Sequence, residues 1–90
     1  MGRGKRIRPA RLGEKLSVIR DHFGCTLEQM AEKLSGKQIV VRRQAVSQYE
    51  LGDNEPPLPI LLRYARLAGI TIDILADDEI DLADYFPSKS

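Results

Sequence analysis

The sequence predicts an all-α domain, compact and built of five helices, and three observations carry that expectation. Apolar residues recur at helical spacing, as with Leu12, Leu16, Ile19 and Phe23 at i, i+4, i+7 and i+11. Helix punctuation brackets such stripes: Thr26 with Gln29 forms a capping-box pattern, and Gly24, Gly52 and Gly69 follow the ends of stripes. Runs of alternating Val, Ile and Thr are missing, and Gln38–Val41 is the sole β-like stretch. Ninety residues, 42% hydrophobic and 30% charged, suit one globular domain with a modest core.

The first helix follows Pro9, which a first helical turn tolerates, and ends at Gly24. Its apolar stripe is the one given above, with Arg20 at the border and His22 on the polar side. The second helix opens at Thr26 and turns Leu27, Met30, Ala31 and Leu34 inward. Ala31 is small enough for close approach of the third helix, and Cys25 packs as a small hydrophobe. Ser35-Gly36 closes this helix. The apolar triplet Ile39–Val41 then needs a home, and at least one member should plug the gap between helices two and three. The third helix spans about 42–51, with Val46 and Tyr49 inward and Gly52 as a left-handed C-cap. After the turn Asp53–Pro57, Pro59 fits the first turn of a fourth helix whose expected core face is Leu58, Leu61, Leu62, Ala65 and Ala68. Thr71 caps a last short helix with Ile72 and Leu75 inward and Ile74 a further candidate. These elements give a basic arm at 1–10, a helical domain at 11–76 and an acidic tail at 77–90.

Charge is segregated along the chain although the net value is only +1. Residues 1–43 hold eleven Lys/Arg against four Asp/Glu, a surplus of +7, and residues 44–90 hold three against nine, −6. One basic face for a polyanion is one reading, and folding that mixes the two halves is the other. No apolar run approaches a membrane span, and no apolar segment follows the basic N-terminus, so a cytoplasmic protein without membrane contact is expected. The single Cys25 forms no internal disulfide. Asp77, Asp78, Glu79, Asp81 and Asp84 lack the glycine and spacing of a calcium loop. No Ser-His-Asp set, phosphate-cradling glycine loop or His-Glu-x-x-His motif occurs, so neither an enzyme, a metal nor a cofactor is expected.

The chemistry concentrates between Thr26 and Gly52, in two short helices joined by a long turn. Arg42, Arg43, Gln44, Ser47 and Gln48 form a dense row of hydrogen-bonding side chains over an apolar underside. Such a helix suits the major groove of double-stranded DNA, where Arg can fork onto guanine and Gln onto adenine. The arm with Lys5, Arg6 and Arg8 can lie along phosphates or enter a minor groove; its other reading is a solvated tail.

The chain from Leu12 to Leu75 resembles the lambda-repressor/Cro-like, or xenobiotic-response-element (XRE), helix-turn-helix regulators. The matching features are LGEKLSVIRDHFG, TLEQMAEKL, AVSQYELG, EPPLPILLRYARLAGI and TIDIL, in order. The resemblance implies base-reading or groove-facing positions for Arg43, Gln44, Ser47 and Gln48. It implies phosphate proximity for Thr26 and Gln29, and an ion pair between Arg20 and Glu50 that staples the first helix to the third. The chain also departs from the family. Six residues, SGKQIV, stand between Leu34 and Val41 where the family usually has one. Either the third helix is displaced, or the turn bulges and Lys37, Arg42 and Arg43 gain reach to phosphates. Leu27 replaces the family's Gln, and Asp53-Asn54-Glu55 replaces its basic pair.

A sequence-specific DNA-binding transcriptional regulator is therefore expected, a homodimer on a palindromic site with half-sites about one helical turn apart. Ile72, Ile80, Leu82, Tyr85 and Phe86 either form the dimer face or cap their own core. The alternative is an antitoxin-like or adaptor module with the same fold, whose acidic tail binds a basic protein partner.

Overall fold

The structure, a computed structural model, describes residues 10–85. Five helices follow in order: α1 Leu12–His22, α2 Leu27–Leu34, α3 Arg43–Leu51, α4 Leu58–Ala68 and α5 Ile72–Ala76. A single 3-10 turn, Leu82–Asp84, comes last. Gln38–Val41 forms no strand, and no strand occurs among the described residues.

The core is assembled where the apolar stripes meet. Leu16, Ile19, Met30, Leu34, Val46, Tyr64 and Leu75 are fully buried. α3 packs against both α1 and α2, while α5 lies against α1 and α4. The approach of α1 to α3 is close enough to exclude a side chain at Gly13. A Cβ there would stand 2.5 Å from the Glu50 carbonyl oxygen, a rigid backbone atom.

Local signals account for the ends of the helices near this junction. Thr26 Oγ1 accepts from the Gln29 amide at 3.1 Å and Gln29 Oε1 accepts from the Thr26 amide at 2.9 Å, a complete capping box. Gly52, with φ of 83°, ends α3 in the left-handed region where a Cβ is costly. Of the triplet, Val41 is buried in the core, Ile39 is half-buried and packs against it, and Val40 stays exposed.

Two expected faces are corrected. α4 does not bury Leu58 or Leu62, which are 68% and 38% exposed; it buries Ile60, Leu61, Tyr64 and Ala65. Both sets have helical period, and the helix turns to the one that inserts the larger Tyr64 ring. Phe23 is also not a core residue, at 40% exposed. It is the C-cap residue of α1, one position past the last helical residue, and still in helical φ and ψ. Its ring meets His22 edge-on at a centroid distance of 5.3 Å, and the Lys33 ammonium lies 6.0 Å from it.

The acidic residues Asp78 and Asp81 meet the chain at the N-terminal side of α1. Leu82 joins the core, and Ile80 packs against it. Asp78 accepts from the Ala10 and Arg11 amides at 2.7 and 3.0 Å, and the Arg11 guanidinium pairs with Asp81 at 2.5 Å. These backbone donors hold the Asp78 carboxyl below its ordinary pKa. Of the expected dimer-face residues, Ile72 is half-buried and Tyr85 exposed, while Phe86 lies outside the described residues.

Candidate nucleic-acid interface

α3 is a two-sided helix. Val46 is fully buried and Ala45 and Tyr49 pack partly into the core, so the opposite side must face outward. Arg43, Gln44 and Gln48 are exposed there and Ser47 is half-buried. Gln44, Gln48 and Leu51 recur at i, i+4 and i+7, which brings Leu51, 71% exposed, onto the same face. Gln48 is not a free rotor, because its Oε1 accepts from Asn54 Nδ2 at 2.6 Å. The backbone amides of Asp53 and Asn54 also donate to the Gln48 carbonyl, folding the post-helix turn back over this end. Asn54 thus supports Gln48 from the turn after α3, a contact that the sequence does not indicate.

Arg20 and Glu50 fix the tilt of this helix. Arg20 Nε donates to Glu50 Oε2 at 2.7 Å and Nη2 to Oε1 at 3.0 Å, a two-pronged pair. The third prong, Nη1, donates to the Cys25 carbonyl at 2.9 Å, just ahead of α2. One guanidinium thereby ties α1, the start of α2 and α3 together. The Glu50 carboxylate raises the Arg20 pKa, so this cation keeps its charge at any working pH.

The connection from α2 to α3, residues 35–42, is pinned rather than loose. Ser35 Oγ donates to the Ala31 carbonyl at 2.9 Å and accepts from the Val41 amide at 2.9 Å. The Gly36 amide donates to the Ile39 carbonyl at 2.7 Å, closing a tight turn. From α4, Arg63 Nη2 donates to the Ser35 carbonyl at 3.1 Å. Sequence reasoning missed Arg63, since nothing in its spacing indicates that α4 reaches this turn. Lys37, Arg42 and Arg43 are exposed along the segment.

Thr26 and Gln29 are exposed at the opening of α2, some way from the row on α3 in sequence but on the helix that packs against it. Both side-chain oxygens accept within the cap, which leaves the Thr26 hydroxyl hydrogen and Gln29 Nε2 as side-chain donors that the cap does not use. α2 also contributes opposite charge. Glu28 and Glu32 line a cleft together with Arg42, Arg43 and Gln44, so the field at the head of α3 is mixed. Lys5, Arg6 and Arg8 lie outside the described residues. Among the described residues, no group of three His, Cys, Asp or Glu is placed to hold a metal ion. No described helix is long and apolar enough to cross a membrane.

Comparison with known proteins agrees with this geometry. A family model described as helix-turn-helix matches residues 16–75, which takes in α2, the turn and α3. No curated protein matches the chain.

Proposed function

The chain belongs to the XRE/lambda-repressor-like helix-turn-helix family of DNA-binding transcription regulators, and we propose that it reads duplex DNA with α3 in the major groove. The observation that carries this reading is the polar row Arg43, Gln44, Ser47 and Gln48 on a helix whose other face is buried. Arg43, Gln44 and Gln48 supply the base contacts, with forked donors or amides matched to guanine and adenine edges. Thr26, Gln29, Lys37 and Arg42 meet phosphates beside the groove, and Lys5, Arg6 and Arg8 of the arm add to them. The acids of the 53–55 turn repel phosphates, so contact with the DNA backbone falls to the exposed cations Lys37 and Arg42 and to those of the arm, while Glu28 and Glu32 temper the field at the head of α3. A homodimer on a palindromic site completes the reading, because one short helix covers too few base pairs for a unique address.

Selection of bound duplexes from a random pool tests it. A palindrome with half-sites about one helical turn apart is expected, with affinity that falls steeply as salt rises. Affinity for duplex DNA that is indifferent to salt would sink the proposal, and so would a pool without enrichment.

A further inference from the structure

The turn ahead of α3 carries an apolar side chain that the fold does not use. Between residues 39 and 42 burial alternates: Ile39 is half-buried, Val40 exposed, Val41 buried and Arg42 exposed. That period of two belongs to extended chain, and Arg42 has the matching φ and ψ of −104° and 157°. Val40 and Arg42 therefore share one outward side, immediately before the first turn of α3. Val40 is 77% exposed, the most exposed of the large hydrophobic residues described. It is also held in place. The Ser35 hydroxyl, the Gly36–Ile39 bond and the Val41 anchor fix the backbone on both sides of it. β-branching leaves the side chain itself little freedom at χ1.

An ordered, rigid, water-exposed pair of methyl groups beside Lys37, Arg42 and Arg43 suits one feature of duplex DNA. In the major groove the apolar mark on a base edge is the thymine C5-methyl group. We propose that Val40 is a specificity-determining residue that packs against a thymine methyl next to the bases read by the start of α3. This rests on the duplex reading above and adds a contact from the turn rather than from the helix.

The test uses the full chain and a duplex obtained by selection, with each thymine replaced in turn by deoxyuridine, which lacks the methyl group. The parent protein should lose about three- to fivefold in affinity at one thymine, the worth of one buried methyl. Val40→Ser and Val40→Ala, at an exposed position, should fold normally, bind more weakly and show no penalty at that thymine. No penalty at any thymine, with salt-sensitive binding retained, would overturn the proposal and leave the duplex reading standing. A penalty that persists in both Val40 variants, or that disappears instead in Leu51→Ser, would overturn it as well. Absence of any duplex binding would remove the duplex reading, and this contact with it.

Discussion

Tyr64 sits fully buried at the centre of the core, and its hydroxyl has no hydrogen-bond partner. Burial, with the negative charge of Glu50 adding to it, raises its pKa far above the ordinary 10. The ring is thus kept neutral in the folded chain, whereas the unfolded chain ionises near pH 10. Stability from this residue is whole below pH 10 and falls above it, by about 1.4 kcal/mol for each further pH unit. Tyr64→Phe should be close to neutral at pH 7, since the orphaned hydroxyl is removed, and should flatten that alkaline decline. Urea unfolding at pH 8, 10 and 11 measures it; equal alkaline slopes for parent and variant would count against this account. Tyr64 was hard to foresee. Leucines outrank tyrosine on any hydropathy scale, so Leu58 and Leu62 drew the expected face of α4. Arg20 and Glu50 were named only through the family pattern, since nothing local to either residue indicates the other, 30 positions away.

At the scale of elements, the punctuation of α2 and α3 was legible because caps are local chemistry. Thr26–Gln29 and Gly52 each involve residues within one turn of one another. Contacts between elements were much less so. Gly13 looks like a weak helix residue in sequence, yet it is where α1 meets the last turn of α3. Gly13→Ala gains about 1 kcal/mol in helix propensity. It also drives a Cβ to 2.5 Å from the Glu50 carbonyl oxygen, which belongs to a helical backbone and cannot rotate away. Overpacking of this kind costs about 1–3 kcal/mol. The variant should therefore be less stable in urea despite its better propensity, and α3 should tilt enough to weaken duplex binding. A more stable Gly13→Ala would show that the two helices separate freely. The turn at 35–42 has the same lesson, because Arg63 reaches it from α4 and only the tertiary arrangement brings them together.

Across the whole molecule, the contrast between a basic front half and an acidic back half is partly cancelled by folding. Arg11 engages Asp81 and the Asp78 carbonyl, and Arg20 engages Glu50. Lys15 is only 2% exposed, and its ammonium donates to the carbonyls of Ile74 and Asp77 at 2.8 Å each. Those carbonyls lie at the end of α5, where backbone acceptors lack helical partners and a cation is favoured. Burial lowers the Lys15 pKa, against the pull of nearby Asp78 and Asp77. The front-half cations thus divide into a structural set and an exposed set that includes Lys37, Arg42 and Arg43. Counting charges along the chain merges the two, which is why the sequence alone overstates the positive face. The division has a measurable consequence. Lys15→Met keeps the volume of the stem but strands two carbonyls, and should cost about 2–3 kcal/mol in urea. Under conditions where it is folded, the slope of log affinity for duplex DNA against log salt should equal the parent's. Arg42→Gln should do the reverse, leaving stability within about 0.5 kcal/mol and reducing the slope by about 0.9, one phosphate contact. Were Lys15→Met to flatten the salt dependence, or Arg42→Gln to leave it untouched, the division between structural and DNA-facing cations would be wrong.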